Sequence, residues 1–279
     1  MSVPQIAASA ANIARSFVEA RLQAVALGGY PGRVPGDLAE AYAIQDVAIG
    51  MWPDEISGWK IGMIAPEFRA AFGADRIAGP IFSRQVIEAA SGAFAELPVI
   101  EGGFAAVEAE YLIRIGKNQA AAAKRYDDAA AAKMIGAVHI GVELAGSPFA
   151  GINDLGPAVT ASDFGNNAGL VVGAPIPNWA SYDWVSAPVK ATIAGERVGA
   201  GTAEALPGGP LAALAFVLNL CAERGRPLRK GQWISSGAVT GVHRIAPGEE
   251  AELDFGGLGM LRCRAVASGA RPPSAAAAG

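Results

Sequence analysis

The sequence predicts an α+β protein in which a mixed, curled β-sheet follows an N-terminal helical region. Three observations carry this expectation. Helical periodicity is concentrated early, at residues 5–27 and 37–51. From Phe94 onward, short apolar runs bounded by glycine dominate, with helical patterns only at about 127–135 and 210–224. No GxGxxG opens a helix after a strand and no Walker-type phosphate loop occurs, so the pattern does not describe an alternating βαβ dinucleotide-binding fold.

Taken in order, Ile13, Phe17, Ala20, Ala24 and Leu27 fall on one stripe of a helix that Gly28-Gly29 is expected to stop. Tyr30 to Gly36 is a Pro/Gly loop. Asp37-Leu38-Ala39-Glu40 has the spacing of a capping box and opens a second helix to about Met51. Ser57–Met63 is a short strand between glycines in which Lys60 is the only charge. A short helix follows, with Pro66 in its first turn and Phe68 and Phe72 as anchors. Gly79-Pro80-Ile81-Phe82 begins an irregular run. Strands are expected at 107–115, 138–145, 169–173, 185–194, 232–236 and 250–266. The helix at 210–224 starts on Pro210, repeats Leu211, Leu214, Leu218 and Cys221, and stops at Gly225. Gly256 to Gly259 reads as a bulge or tight bend inside the last strand pattern. The chain is expected to be one functional unit: a helical region over 1–75, a mixed β region carrying the site over 76–267, and an Ala/Pro/Gly/Ser-rich tail without fixed structure over 268–279.

With 279 residues, 52% hydrophobic and 17% charged, the chain can bury a large core. The low charge and a mean hydropathy of +0.30 suggest apolar surface hidden between subunits, so a homo-oligomer is expected. A net charge of −4 offers no basic footprint for nucleic acid. The short cluster Arg224, Arg226, Arg229 and Lys230 reads as a solvated helix end. Cys221 and Cys263 each lie in an apolar pattern and read as reduced core residues. With two His and no Cys pair at ligand spacing, a zinc site is not expected. No run approaches the roughly 18 apolar residues of a membrane span, and no basic start precedes an apolar core at the N-terminus. No membrane association is expected, and cytoplasm is the default.

The chemistry concentrates at Val107–Ile115. Glu108 and Glu110 lie two apart in an apolar strand pattern, so they point to one face. Glu143 lies in a second such run, Val138–Leu144. Two readings stand. The pair is the wet face of an antiparallel sheet, or Glu108, Glu110 and Glu143 surround a hard divalent cation, which prefers carboxylate oxygens and removes their repulsion. His139 shares strand parity with Glu143 and could hydrogen-bond to a carboxylate there.

The order of the motifs resembles the fumarylacetoacetate hydrolase superfamily, and within it the 2-keto-4-pentenoate hydratase and 4-oxalocrotonate decarboxylase branch. The matching stretches are AYAIQD at 41–46, GWKIG at 58–62, GPIF at 79–82, VEAE at 107–110 and VELAGSPF at 142–149. They continue with SDFGNNAGLVVG at 162–173, LPGGPLAALAFV at 206–217 and the segment from Gly231 to Gly259. The resemblance implies a mixed β-sheet roll around a Mg²⁺ or Mn²⁺ site, with Glu108, Glu110 and Glu143 as ligands. It implies a small 2-hydroxy-2,4-dienoate or 2-oxo acid substrate from aromatic catabolism. The expected activity is hydration to a 4-hydroxy-2-oxo acid. The alternatives are decarboxylation of the 4-oxalocrotonate type, or a weakly active homologue serving as a partner subunit. Hydrolysis of acylpyruvates would call for a histidine on the N-terminal side of the site, and none precedes His139.

Within the matched motifs, Lys60 is expected to be catalytic, pairing with the substrate carboxylate or protonating the dienol, or else to bridge a site carboxylate. Asp163 is the second expected catalytic residue and Asn166 a substrate contact, although the chain departs from the more usual A-D-N-A-S here and turn chemistry is the alternative. Ser236 matches the family's S-G-A and is expected to bind substrate. Thr240 is expected to donate to a substrate carboxylate or to cap its own turn. His243 reads as a surface or structural residue. Arg69, Arg76, Arg84 and Arg244 are candidate partners for a second substrate carboxylate, or surface charges.

Overall fold

The computed structural model describes residues 3–89, 92–120 and 125–269, with side chains from residue 9 onward. Residues 270–279, most of the expected tail, lie outside the described residues. The chain begins with α1 (Val3–Gln23) and α2 (Leu38–Met51), then β1 (Ile56–Met63), α3 (Pro66–Phe72), β2 (Arg76–Phe82), β3 (Val86–Glu88) and β4 (Phe94–Val99). The long strands β5 (Phe104–Ile115) and β6 (Ile135–Ser147) flank α4 (Asp128–Ala132). After α5 (Pro157–Ser162) come β7 (Asn167–Pro175), β8 (Val189–Ile193), β9 (Glu196–Gly201) and α6 (Gly209–Glu223). The chain closes with β10 (Trp233–Ser235), β11 (His243–Arg244), β12 (Glu250–Asp254) and β13 (Met260–Ala267).

Among the described residues the strands form two sheets. The larger runs β2-β1-β10-β5-β6-β7-β3, with β11 alongside β5, and the smaller runs β4-β13-β12-β8-β9. β1 with β10, β3 with β7 and β4 with β13 are parallel, and the other pairs are antiparallel. The expected α+β, mixed-sheet architecture is therefore present. One core lies between the sheets, where Val107, Ala109 and Tyr111 of β5 meet Leu253, Leu261 and Cys263. A second lies under the helices, where Phe17, Ile44 and Leu218 meet Trp59 and Ile61 of β1.

Period-two alternation then fixes where the charges go. Sending Val107, Ala109 and Tyr111 into the intersheet core puts Glu108 and Glu110 on the opposite face. Val142 and Leu144 do the same for Glu143, and Trp59 and Ile61 for Lys60. That opposite face is not wet: within β5 only Arg114 is exposed.

Local signals explain most boundaries. Asp37 caps α2, its side chain accepting the Glu40 N–H at 2.8 Å, as the capping box predicts. α1 ends before the expected Gly28-Gly29 stop. Ala24 turns left-handed at φ 55°, and Val25 N–H reaches back to the Ala20 carbonyl in a 6→1 closure. Leu27 N–H is then taken by the Pro148 carbonyl, so tertiary pairing overrides the continuing stripe. The run expected to be irregular at 79–82 is instead the end of β2, paired antiparallel to β1. The expected strand at 250–266 is the hairpin β12–β13, turned at Gly256–Leu258. Arg224 and Arg226 are not a solvated helix end. Both bond Asp46, and the Arg224 guanidinium lies 4.3 Å from the Tyr42 ring, tying α6 to α2. Cys221 and Cys263 are buried free thiols, as expected, and burial pushes both up to about 12. Among the described residues no helix is long and apolar enough to cross a membrane.

One glycine is set by backbone approach. A Cβ on Gly79 would lie 1.9 Å from the Phe164 carbonyl oxygen, so only glycine lets the 164–166 turn rest on β2. Gly79→Ala should cost about 3 kcal/mol through this overlap. Urea unfolding should read it as a lower midpoint at unchanged m-value.

Candidate active site

The antiparallel pairing of β5 with β6 brings the acids together. Glu108 lies directly opposite Glu143, and Glu110 opposite Gly141. One ligand oxygen from each of the three carboxylates lies within 4.8 Å of the others. Glu108 is 6% exposed, and Glu110 and Glu143 are fully buried. Burial, reinforced by Glu143, pushes the Glu108 carboxyl up to about 7 against the opposing pull of Lys60. Burial, then Glu143 and Glu108, pushes Glu110 well above the usual carboxylate range, against the hydrogen bonds from Ser235 and Gly237.

Each of the two deepest acids has one oxygen held and one bare. Glu110 Oε2 accepts the Ser235 hydroxyl and the Gly237 N–H, whereas its Oε1 has no partner. Glu143 Oε1 accepts the Asn167 amide at 2.9 Å and lies 3.4 Å from Lys60 Nζ, whereas its Oε2 has no partner. A buried carboxylate oxygen without a donor is costly. Bare oxygens in a tight carboxylate cluster are the donor set a hard divalent cation takes, so these residues fit such an ion. Lys60 is 5% exposed. Burial would lower its pKa, but attraction to Glu143, Glu108 and Glu110 outweighs that and raises it, so the ammonium keeps its proton.

The grip on Glu110 comes from a bulge in the strand beside β5. β10 pairs Trp233–Ser235 with Arg114–Leu112, and β11 pairs His243 and Arg244 with Val107 and Ala106. Between them Gly237 turns at φ 120°, which swings its N–H onto Glu110, while Val239 N–H still reaches the Ala109 carbonyl. The grip on Glu143 comes from the turn before β7. Phe164, Gly165 and Asn166 are all left-handed, at φ 52°, 63° and 65°. This run, awkward for Phe164, brings Asn166 to the cavity and Asn167 to Glu143.

A cleft of about 400 Å³ opens beside the acids. Lys60, Glu108, Asn166 and Gly237 line it, and Ile64, Phe68, Leu206 and Val242 are among its apolar walls. The Asn166 Oδ1 is buried without a partner. Lys60, Asn166 and the three glutamates thus come together. Asp163, expected to be catalytic, does not join them. Arg21 of α1 engages both of its oxygens at 2.6 and 2.9 Å, Ser147 donates to Oδ2, and Asp163 does not line the cleft. Ser236, expected on the substrate, donates to the Tyr111 carbonyl at 2.7 Å and is likewise absent from the lining. Thr240 meets the His243 ring through its carbonyl and hydroxyl, which supports the turn-capping alternative. His139 bonds the Gly173 carbonyl and stacks edge-on against Trp233, and four residues of strand place it about 13 Å from Glu143.

Sequence reasoning missed Ser235, the Gly237 N–H and Arg21. Ser235 was findable from strand parity, since Ile234 enters the helix-side core and its neighbour must face the other way. The match to S-G-A drew attention to Ser236 instead. Arg21 gave no local signal, because its partners lie at 146, 163 and 167.

Fold and site together define a class: mixed-sheet rolls with a buried carboxylate cluster beside an open cleft. No family model matches the chain. A 4-oxalocrotonate decarboxylase of Pseudomonas putida is 30% identical over 105 residues, 38% of this chain and 40% of that protein. A 2-keto-4-pentenoate hydratase of Paraburkholderia xenovorans (strain LB400) is 35% identical over 68 residues, 24% of this chain and 25% of that protein. The matched stretches thus span well under half of these relatives' own lengths. Among solved structures, the 4-oxalocrotonate decarboxylase from Pseudomonas putida G7, complexed with calcium and acetate, superposes with a TM-score of 0.76 at 21% identity. The match covers 95% of this chain and 99% of that one. The chain shares its fold with that decarboxylase, and over part of its length it is similar to curated proteins of the hydratase and decarboxylase branch that the sequence motifs resemble.

Two predictions follow from the electrostatics. Glu108 and Glu110 have raised folded pKa values, so in the ion-free protein their contribution to stability is present below about pH 4.5 and is lost as pH rises through about 7. The ion-free Tm should therefore fall between pH 5 and 8. At pH 7.5, Mg²⁺ or Mn²⁺ at about 100 times Kd should raise Tm by about 5 °C. Glu110→Gln should raise the ion-free Tm and abolish the ion-induced rise. In the second prediction, Arg21→Leu leaves Asp163 buried without a counter-charge, held only by the Ser147 hydroxyl, and should cost about 3–5 kcal/mol. Adding Asp163→Leu should recover much of that loss in a double-mutant cycle.

Proposed function

We propose that the chain is a divalent-metal-dependent lyase that hydrates a 2-hydroxy-2,4-dienoate to a 4-hydroxy-2-oxo acid. The observation that carries this is the buried cluster of Glu108, Glu110 and Glu143, which holds two bare oxygens and meets an open cleft through Glu108 and Lys60. The three glutamates would hold Mg²⁺ or Mn²⁺. When bound, the ion supplies Lewis acidity to a 2-oxo acid, favouring negative charge at its 2-oxygen.

The protein's own groups do the rest. Ser235, Gly237 and Asn167 fix the carboxylates, so the donor set is preorganised. Lys60 Nζ holds a proton inside the cleft, where it can pair with the substrate carboxylate or deliver that proton as the dienol becomes the conjugated 2-oxo-3-enoate. Water then adds at C4 and a proton at C3, giving the 4-hydroxy-2-oxo acid. Asn166 lines the cleft, and its buried, unpartnered Oδ1 is free to accept a hydrogen bond from a water that reaches it. Asp163 and Ser236 support the site through their own buried bonds and not through substrate.

A decarboxylase is the second reading, supported by the 30% identity to a 4-oxalocrotonate decarboxylase. Loss of CO₂ from a vinylogous β-keto acid leaves electrons on the same oxygen, so the carboxylate cluster serves either reaction. EDTA-stripped protein with Mg²⁺ or Mn²⁺ restored should convert 2-hydroxypenta-2,4-dienoate to 4-hydroxy-2-oxopentanoate, followed by ultraviolet loss and NMR of the product. CO₂ release from 4-oxalocrotonate in its place would establish the decarboxylase. Silence on both substrates would make the chain a partner subunit or an enzyme of another 2-oxo acid. Glu108→Gln and Glu110→Gln should each lower kcat/KM at least a hundredfold, about 2.7 kcal/mol.

A further inference from the structure

We infer that the cleft selects a 2-oxo acid with a single carboxylate and an uncharged, apolar tail, and rejects the same chain bearing a second carboxylate. The inference rests on the metal-chelating reading above, because that reading places the first carboxylate and the 2-oxygen beside Lys60 and the glutamates.

Two observations carry it. Of the described residues lining the cleft, only Lys60 and Glu108 are charged, and both belong to the carboxylate end. Beyond them the wall is built from Ile64, Phe68, Leu206 and Val242, with Asn153 and Thr160 as its neutral polar members. A tail methyl or vinyl group meets matching surface there, whereas a carboxylate would be desolvated without a cation.

The second observation is where the remaining cations go. Arg69 Nε donates to the Ile64 carbonyl, and Arg76 donates to the Pro207 carbonyl. Arg84 bonds Asp54 through its backbone N–H and lies 4.0 Å from it through its guanidinium. The Arg244 guanidinium stacks 4.3 Å over the Phe104 ring. None of the four lines the cleft. The charge balance agrees. Three glutamates against one lysine and one divalent ion leave the centre neutral, so a monoanion arrives without repulsion and a dianion brings a charge that nothing answers.

The test compares two six-carbon acids that differ only at the tail, 2-oxohexanoate and 2-oxoadipate. Each is titrated calorimetrically into the full chain loaded with Mg²⁺. The expected result is at least tenfold tighter binding of 2-oxohexanoate, which is about 1.4 kcal/mol. Val242 is 53% exposed, so Val242→Arg can add a cation to the wall without disturbing the core, and it should reverse the preference. Equal or tighter binding of 2-oxoadipate by the unaltered chain overturns the inference and leaves the metal-chelating reading standing. An unchanged ratio in Val242→Arg overturns the placement of the tail at that wall. Binding of Mg²⁺ with no binding of either acid overturns the metal-chelating reading, and the inference falls with it.

Discussion

Three carboxylates share one dry face of a sheet, and their mutual repulsion is the constraint that the surrounding structure answers. Burial raises the free energy of each charge, and proximity raises it further. The protein's response is partial. Lys60 approaches Glu143 from β1, Asn167 donates to the same oxygen from β7, and Ser235 at the end of β10 and the Gly237 N–H just after it both donate to Glu110. These donors all fall on one oxygen of each acid. The other oxygens of Glu110 and Glu143 are left bare inside the protein. A sheet built for stability alone would replace such a cluster with apolar side chains at little cost or some gain. Keeping it is consistent with a site whose last positive charge arrives from outside.

The same constraint explains why the neighbouring turn is strained. Three successive left-handed residues, one of them Phe164, are an expensive way to enter a strand. Two contacts offset the cost. Phe164 rests on the bare backbone of Gly79 and stacks on Phe82 and Trp52, and Arg21 holds Asp163 and the Asn167 carbonyl from the far side. Arg21 therefore does for the turn what the Gly237 bulge does for β10. It sits on the first helix, so a residue far from the acids in sequence fixes the residue that grips Glu143. The chain of contacts runs from α1 through Asn167 to the carboxylate cluster.

This arrangement also accounts for what the sequence could and could not reveal. The acids were legible because period-two alternation is enforced by the core: once Val107, Ala109 and Tyr111 are buried, Glu108 and Glu110 have only one place to go. The capping box at Asp37 and the proline starts of α3 and α6 were legible for the same local reason. β2 was not, because Gly79 and Pro80 read as a loop until the partner strand and the Phe164 carbonyl are seen against them. Asp163 and Ser236 lie off the cleft lining because a motif match locates a segment but not the side of the backbone that faces the cleft. Asp163 lies three residues before Asn166, which does line the cleft, and Ser236 follows Ser235, which holds Glu110. Long-range partners decided those cases, and no window of sequence contains them.

The division between the carboxylate cluster and the cleft wall bears on how one fold serves several reactions. The carboxylate cluster and the groups that hold it are built from β1, β5, β6, β10 and the start of β7, elements fixed by two cores. The wall that meets the rest of a substrate comes from different places: the segment leading into α3, the Leu206 turn and the exposed end of the Gly237 bulge at Val242. α3 has no fully buried residue, and its Phe68 and Phe72 lean on a small cluster around Ala41, Ile64 and Ile77, apart from the two main cores. A substitution at the exposed Val242 therefore carries a small cost to stability, whereas substitutions in the cluster unbalance buried charge. Relatives with different substrates and low overall identity are what such a division produces. The glutamates and the wall are thus separable parts of one fold, the first set by buried charge and the second by apolar side chains that reach the exposed surface at Val242.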